Sequence, residues 1–299
     1  NVGFHADRLS SAPGNVMLAK ELPDGWSHKL DGVRTHWRAI VDGTGSPLSG
    51  ATASFSIQFI FRLDGLPTQF QSAVAGAEDQ YKGILISRST GYAYGENKTL
   101  ANTAYEIWIS PDDPSSTGTF APRVVFYASD GATALNYVNT TNIELGQWYA
   151  VALIYNAALA SPNRWRTYVA PTDNANAAAS LQDPGSAATA IADISGADFY
   201  VGAIKTSPSA SDGPLNIKKF SQYHLKGIVQ EIRVWSRALS ATDLDTTYPS
   251  SRQMTAAEVA AATGLVAYYP MTGALTNKYF EVDEVGVAPP LRLYPRDAT

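Results

Sequence analysis

The sequence predicts an all-β fold in which two antiparallel sheets pack face to face, with one or two short helices near the C-terminus. Residues 53–63 carry the clearest signal, because large apolar residues occupy every second position: Phe55, Ile57, Phe59, Phe61 and Leu63. This period of two is typical of a strand with one face covered by another layer. Charged residues make up 16% of the chain and aromatic residues 11%, which favours strands and polar loops over helices.

More strands are predicted wherever β-branched and aromatic residues gather between turn signals. They comprise a strand that carries Trp37 and residues 83–88, 105–110, 123–128, 149–155, 164–169, 199–202 and 228–235. Residues 149–155 are apolar on both faces, so they are expected to form a central strand, with 164–169 as the partner in a hairpin. The stretch 173–192, rich in small residues, is predicted to be a loop.

One domain is predicted over residues 26–275, because the chain shows no internal repeat and no linker at which it could be divided. Residues 1–25 have no clean period and are interpreted as an N-terminal arm. Residues 276–299 contain several prolines and are interpreted as a C-terminal tail or an added edge strand.

Two helix starts are predicted after the strand at 228–235. Ser240 and Asp243 have the spacing of a hydroxyl cap and an acid in the first turn. Thr255 and Glu258 form a capping box, and the helix that they start is expected to run to about Ala262. Gly264 then supplies a left-handed stop.

Residues 227–240 read G-I-V-Q-E-I-R-V-W-S-R-A-L-S. Their order of hydrophobic, acidic, basic and aromatic residues resembles the terminal strand of laminin-G-like, concanavalin-A-like domains, which commonly reads G-x-I-D-x-V-R-I-W-x-R-A-L-S. Residues 145–151, 199–202 and 264–271 are similar to further strands of these domains. The resemblance covers residues 26–271 and implies a jelly-roll sandwich with long loops at one rim.

The net charge, the cysteine count and the length of the apolar runs exclude several classes of protein. The formal net charge is −5 and no basic run gathers the lysines and arginines, which argues against a nucleic-acid partner. Cysteine is absent, so the chain has no disulfide and no thiolate nucleophile or ligand. No apolar run approaches the ~18–20 residues that cross a bilayer, so no membrane span is predicted.

No convincing catalytic grouping is present, so the chain is predicted not to be an enzyme. Some glucanases with this sandwich architecture carry several acids on one strand, so that alternation places the carboxylates on one face. Glu281 and Asp283 have that spacing, whereas Glu284 points the other way. A solvated acidic edge is the preferred interpretation of this segment.

A calcium site is the cofactor that the resemblance implies, since laminin-G-like domains often hold Ca²⁺ through carboxylates, carbonyls and water. The predicted ligands are Asp31, which matches an early D-G of the family, and the pair Asp112 and Asp113 in a rim loop. Asp130 and Glu231 are weaker candidates. The alternatives are a turn cap at Asp31, a solvated loop at 112–113 and an ion pair between Glu231 and a neighbouring base.

Glycan binding would use exposed aromatic faces beside amide groups. The predicted ligand-binding residues are Tyr92, Tyr94, Asn97, Trp108, Tyr137 and Asn139. Core packing is the competing interpretation for each aromatic residue, Trp108 included. Asn97 and Asn139 also begin glycosylation sequons, which are interpreted as chance matches in polar loops.

The leading hypothesis is a non-catalytic recognition or adhesion module that is exposed on a surface and binds glycan or a surface protein through rim loops. It implies an extracellular, cell-surface or virion-surface location. The alternative is a structural assembly subunit, such as a virion decoration, fibre or surface-layer protein, that oligomerises through residues 1–24 and 281–299. A glycoside hydrolase or lyase is the third hypothesis.

Overall fold

The structure is a computed structural model that describes residues 18–22, 25–31, 35–39, 48, 53–66, 82–93, 98–110, 122–174, 180–207, 221–249, 252–271, 280–281 and 291–295. For residues 18–39, 92–93, 174, 205–207, 221–222, 280–281 and 291–295 within those ranges, it describes the backbone alone.

Strands dominate the described residues. In chain order they are β1 (Leu18–Leu22), β2 (Gly25–Asp31), β3 (Thr35–Ala39), β4 (Phe55–Leu63), β5 (Gly83–Ser89), β6 (Tyr92–Ala93), β7 (Thr103–Ser110), β8 (Arg123–Ser129), β9 (Ala134–Asn142), β10 (Trp148–Tyr155), β11 (Trp165–Pro171), β12 (Leu181–Gln182), β13 (Asp198–Val201), β14 (Ile204–Ser207), β15 (Ser221–Gln222), β16 (Lys226–Trp235), β17 (Leu265–Tyr269), β18 (Phe280–Glu281) and β19 (Leu291–Pro295).

Two large antiparallel sheets contain most of these strands. Sheet I has the order β1-β2-β16-β4-β10-β11-β12, and β17 also pairs with β16. Sheet II has the order β18-β19-β3-β13-β5-β7-β8-β9. The short strands β15, β14 and β6 form a separate ribbon. The predicted all-β sandwich is therefore confirmed, as is the predicted hairpin between β10 and β11, which pair antiparallel throughout.

The main core lies between the two sheets. The five alternating apolar residues of β4 face it, and each is at most 3% exposed. Tyr155 and Trp165 pack across the β10–β11 hairpin with ring centroids 4.9 Å apart. Burial of these alternating faces is the main source of stability for the two layers.

The opposite face of β4 is also buried, because residues 236–264 cross it. The Ser56 hydroxyl donates to the Arg237 carbonyl at 2.8 Å and accepts the Leu239 N–H at 3.0 Å. Trp235 and Tyr248 pack there with ring centroids 4.6 Å apart, in a second apolar cluster. Ser56 and Gln58 of β4 thus bind the covering segment and do not meet solvent.

Arg233 holds that covering segment to sheet I. Its guanidinium donates to the carbonyls of Tyr248, Pro249 and Arg252 at 2.9, 3.1 and 2.6 Å. It also pairs with Glu231, and the two side chains are 2% and 1% exposed. Burial raises the pKa of Glu231, and the Arg233 guanidinium opposes that rise. The acid–base–aromatic order in residues 227–240 therefore has a structural role in this chain.

Both predicted helix starts are present. Thr255 caps α1 (Ala256–Ala261) with the complete capping box to Glu258, and Gly264 follows with φ 82°. At the earlier start, the Asp243 N–H donates to the Ser240 hydroxyl at 3.1 Å, but the turn that follows is the π-helical Asp243–Thr247. None of the helices within the described residues is long and apolar enough to span a bilayer.

A seam of polar side chains joins β9 of sheet II to β11 and β12 of sheet I. Gln182 accepts from the Tyr137 hydroxyl at 2.7 Å and from the Thr140 N–H at 3.2 Å, and its amide donates to the Thr140 hydroxyl at 2.6 Å. The Thr141 hydroxyl donates to the Val169 carbonyl at 3.2 Å. Within the predicted loop 173–192, the described residues contain the end of a short 3₁₀ turn (Thr172–Asn174), one helical residue at position 180 and the two-residue strand β12.

Parts of both terminal segments lie in the sheets. Strand β1, at residues 18–22, pairs with β2 of sheet I. Strand β19, at residues 291–295, pairs with β3 of sheet II. Residues 1–17 and 296–299 of the predicted arm and tail lie outside the described residues.

Candidate functional site

The predicted calcium ligands lie largely outside the described side chains. Asp31 ends β2, where only the backbone is described, and Asp112 and Asp113 are not among the described residues. Among the side chains that are described, no group of three or more His, Asp or Glu residues could hold a metal ion. The calcium site remains a prediction of the sequence.

The side chains of the predicted acidic edge are not described either. Glu281 lies in β18, whose backbone alone is described. Asp283 and Glu284 lie outside the described residues.

The two weaker calcium candidates are occupied by groups of the chain itself. The Asp130 carboxylate accepts the N–H groups of Ala132, Thr133 and Thr189 at 2.7–2.9 Å and the hydroxyls of both threonines. Glu231 is bound by Arg233, as described above. Asp130 therefore joins the β8–β9 turn to the loop before β13, because its acceptors are shared between them.

The bonds at Asp130 should make stability depend on pH. Partial burial raises the pKa of Asp130, but the N–H groups of Thr189, Thr133 and Ala132 outweigh it and hold the pKa well below its usual range. Because the pKa of Asp130 is lower in the folded chain than in the unfolded chain, the charged carboxylate stabilises the fold at pH values above the unfolded pKa of ~3.9. This stabilisation is lost as the pH falls below ~3.9. Asp130→Asn should lower the Tm by roughly 3–6 °C at pH 7.

That difference in Tm should shrink as the pH falls from about 5 towards 2, because Asp130 then takes up a proton in the unfolded chain while the folded chain still holds it ionised. Calorimetry of both proteins across this range checks it. Asp183→Asn is the control, since Asp183 forms a half-exposed pair with Arg166 and should change the Tm little. A difference that does not vary with pH would contradict the role of the Asp130 charge.

The predicted ligand-binding residues separate into three groups. The backbone alone is described for Tyr92, and Tyr94 and Asn97 lie outside the described residues. Tyr137 belongs to the polar seam and is bonded to Gln182. Asn139 is fully buried and donates to the Thr167 hydroxyl at 3.4 Å, so it has no exposed amide and its sequon is inaccessible.

The error at Tyr137 and Asn139 arises from the strand β9, which the sequence analysis placed in a loop. Alternation along β9 turns Leu135, Tyr137 and Asn139 inward and leaves Asn136 exposed on the outer side. A signal was available, because Leu135 and Tyr137 alternate with Asn136, but the many Asn and Thr residues obscured it.

Trp108 lies on the outer side of sheet II, where most of the neighbouring side chains are buried as well. This surface, the Trp108 face, is the side turned away from the main core, and its members are Lys82, Ser87, Lys98, Glu106, Trp108, Tyr127 and Asn136. Backbone register aligns Ser87, Glu106, Tyr127 and Asn136 in one row across four strands. Trp108 is two residues from Glu106 along β7, on the same side.

Two ammonium groups lie against the Trp108 ring. Lys82 Nζ is 4.6 Å and Lys98 Nζ 4.2 Å from the ring centroid. Lys82 also lies 5.1 Å from the ring of Tyr223, and Lys98 5.7 Å from that of Tyr127. Cations and aromatic rings thus alternate along this surface, an arrangement favoured by the negative face of each ring.

The two lysines differ in what surrounds them. Lys82 is fully buried and pairs with the carboxylate of Glu106, which also accepts from the Ser87 hydroxyl at 3.3 Å. Lys98 is half-buried and precedes a turn that is closed by Thr99 and Asn102, where the Thr99 N–H donates to the Asn102 side chain at 2.7 Å. Lys82 is therefore a fixed part of the surface, whereas the Lys98 side chain reaches solvent.

Tyr127 borders the exposed part of the Trp108 face. Burial raises the pKa of Tyr127; a hydrogen bond with Ser129 opposes that rise, and the Glu106 carboxylate adds to it. Its hydroxyl therefore stays protonated and can donate a hydrogen bond. Aromatic rings, a hydroxyl, an exposed amide at Asn136 and a half-buried ammonium at Lys98 are the groups that a sugar needs for stacking and orientation.

Comparison with known proteins bears on the fold. No protein-family model matches the chain, and no curated protein matches it. Among solved structures, a putative carbohydrate-binding protein from Bacteroides ovatus is similar over 89% of this chain and 61% of its own length, with a TM-score of 0.50 and 15% identity. This chain therefore spans about three-fifths of that protein.

Two further structures are similar at lower scores. Domain 4 of AbnA, a GH43 extracellular arabinanase from Geobacillus stearothermophilus in complex with arabinotriose, matches over 79% of this chain and 82% of its own, with a TM-score of 0.42 and 13% identity. Domains LG4-5 of the mouse laminin alpha1 chain match over 78% and 48%, with a TM-score of 0.38 and 11% identity. The two-sheet topology, together with the similarity to the Bacteroides ovatus structure, shows that the chain has a jelly-roll sandwich fold, as the resemblance of residues 227–240 implied.

Proposed function

We propose that this chain is a non-catalytic glycan-binding module that recognises its ligand with the Trp108 face. The observation that carries the proposal is the indole of Trp108 on an outer sheet face, with Lys98 at 4.2 Å and an exposed amide at Asn136 in the neighbouring row. This location differs from the rim loops that the sequence predicted, because Trp108 lies within β7, two residues before the strand ends.

Binding requires side chains around Trp108 to move, Lys98 among them, since Trp108 is only 3% exposed and packs in a buried cluster that includes Val125 and Tyr223. A half-buried lysine over an aromatic ring contributes about 0.5–1 kcal/mol, and its four torsions are flexible. A sugar ring can replace that contact with its own C–H groups, while its hydroxyls bond to Tyr127 and Asn136. The cost of displacing Lys98 is thus small against these interactions with the sugar.

The position of the Glu106 carboxylate favours binding of a glycan without its cleavage. Glu106 is the acid at the centre of this face, and it is already engaged by Lys82 and Ser87 in a fully buried position. A glycosidase acid must reach the scissile oxygen. Incubation with each bound polysaccharide should release no new reducing ends and no unsaturated product.

The terminal strands argue against the hypothesis of a structural assembly subunit. It reserved residues 1–24 and 281–299 for contacts with neighbours, yet β1 and β19 pair with strands of the same chain. A glycan-binding module that works outside the cell or at a cell or virion surface is therefore preferred.

The test is a glycan array followed by calorimetric titration of the bound glycan. Trp108→Leu should weaken binding by about tenfold or more, as loss of a central aromatic contact does. Trp148→Leu is a matched control: Trp148 is 9% exposed on the outer side of sheet I and lies under Arg62, 5.3 Å from the guanidinium carbon. Its substitution should leave affinity unchanged.

Asn136→Ala tests the site even if Trp108→Leu fails to fold. Asn136 is exposed, so its substitution should weaken binding several-fold without a change in Tm. Equal affinities for wild type and the Asn136 and Trp108 variants would place the site elsewhere. Failure of the folded wild-type chain to bind any glycan would overturn the proposal.

A further inference from the structure

We infer that Lys82 and Glu106 condense to an isopeptide bond, an amide that joins the Nζ of the lysine to the Cδ of the glutamate. The inference is separate from the proposed function and concerns a modification of the chain itself. It starts from an amine and a carboxyl that lie against each other on the outer side of sheet II.

Solvent is excluded from this pair. The side chains of Lys82 and Glu106 are both fully buried, and the apolar cluster around Trp108 and Tyr223 packs beside them. The Lys82 Nζ lies 4.6 Å from the Trp108 ring centroid and 5.1 Å from that of Tyr223. Condensation of an amine with a carboxyl releases water, and a closed site also keeps water from hydrolysing the product. Burial of the pair therefore favours the amide.

Burial also works against two separate charges. Ions that are taken out of water lose their hydration, and their mutual attraction does not always offset that loss. An amide is neutral, and an uncharged polar group costs far less to bury than an ion does. Joining Lys82 to Glu106 thus removes two charges from an apolar cluster.

The strands of sheet II hold the reacting groups in place. Lys82 directly precedes β5, and Glu106 lies in β7, which pairs with β5. Glu106 Oε1 faces the ammonium, whereas Oε2 accepts from the Ser87 hydroxyl of β5 at 3.3 Å. Reactants held in one orientation need no diffusive encounter, which lowers the barrier to their reaction. An amine, a carboxyl and a hydroxyl donor are therefore assembled at one point.

The reaction balances without an oxidant or a cofactor. A proton passes from the Lys82 ammonium to Glu106 Oε1, which leaves an amine beside a carboxylic acid. The amine lone pair attacks Cδ, and the Ser87 hydroxyl stabilises the negative charge that develops on Oε2. A second proton moves from Nζ to Oε1, the Cδ–Oε1 bond breaks, and Oε1 leaves as water. One C–N bond has formed and one C–O bond has broken.

The bond closes a loop over residues 82–106 and ties the start of β5 to β7. Cysteine is absent from the chain, so a disulfide cannot supply such a link. A covalent closure restricts the unfolded chain and thereby stabilises the folded one. The strands that carry Trp108 and its neighbours are the ones held together.

The experiment measures the mass of the intact, denatured full chain and then maps its tryptic peptides. The wild type should be lighter than its sequence by one molecule of water. Trypsin should fail to cut after Lys82, because an acylated lysine is no longer a substrate. The map should therefore contain residues 63–88 joined to residues 99–123 as one branched peptide. This map is read on the wild-type chain, so it does not depend on the folding of any variant.

Lys82→Gln should have the full mass of its sequence, whereas Lys226→Gln, at an exposed lysine of sheet I, should keep the deficit. Ser87→Ala should slow bond formation by about tenfold or more, seen as a larger unreacted fraction in freshly made protein.

A wild-type chain of full mass, both freshly made and after long incubation in the folded state, overturns the inference and leaves the proposed function standing. A deficit that persists in Lys82→Gln also overturns it, because Asp-Gly sequences such as Asp130-Gly131 can lose water by cyclisation. Failure to bind glycan by a chain that carries the branched peptide would refute the proposed function alone.

Discussion

Replacing Arg233 by methionine is expected to lower the free energy of unfolding by about 3–5 kcal/mol. The substitution leaves the carboxylate of Glu231 buried without its counter-charge, since that side chain is 1% exposed. It also removes the donor to three carbonyls of the segment that covers sheet I. Chemical denaturation of the two proteins, monitored by tryptophan fluorescence, measures the difference.

Arg166→Met is the matched control for this prediction. Arg166 pairs with Asp183 at 2.8 Å, but the two side chains are 33% and 40% exposed. Exposed pairs contribute ~0–1 kcal/mol, so this variant should unfold almost as the wild type does. The double variant Glu231→Met with Arg233→Met should be less destabilised than the sum of its single changes, because neither charge is then left alone. Similar losses for Arg233→Met and Arg166→Met would contradict the anchoring role.

A second large loss of stability is expected for Gly227→Ala. A β-carbon at Gly227 would lie 2.2 Å from the Arg62 carbonyl oxygen and 3.3 Å from the Leu63 α-carbon, both in the adjacent strand β4. Because these are backbone atoms of a central strand, the two strands must separate to admit it. We expect a loss of about 3 kcal/mol or more, at the upper end of overpacking effects.

Gly65→Ala provides the control, since Gly65 lies just after the end of β4, next to Lys226, the residue before Gly227. A β-carbon there would meet the Lys226 side chain at 2.8 Å, and the end of a flexible lysine can move away. Its unfolding free energy should stay within ~1 kcal/mol of wild type, a gain included, because alanine restricts the unfolded chain. Equal losses for the two glycine variants would show that contact with the backbone of β4 is not the cause.

The regular parts of this fold could be predicted because their signal is local. Alternation in β4 and the capping box at Thr255 each lie within a dozen residues and were predicted with nearly the observed bounds. The burial of Ser56 and Gln58 could not be predicted in the same way. It depends on residues 236–264, which arrive some 180 positions later in the chain.

The candidate site was predicted only in part, for a related reason. Trp108 was named from its own neighbourhood, and it belongs to the outer cluster of sheet II on which the proposed site is built. Lys82 and Lys98 come from two other segments, so no spacing in the sequence joins them to Trp108. One signal was available: Glu106 is a lone charged residue inside an apolar strand, which indicates a buried partner.

The polar seam at Gln182 has a consequence for the behaviour of the chain in solution. An outermost strand whose backbone groups are open can recruit a strand from another molecule and begin aggregation. On β9, the Gln182 side chain takes up the N–H of Thr140, and Thr141 is tied to the backbone of β11. A foreign strand that tried to extend sheet II at this point would first have to break the molecule's own bonds, so this margin of the sandwich resists addition at high concentration.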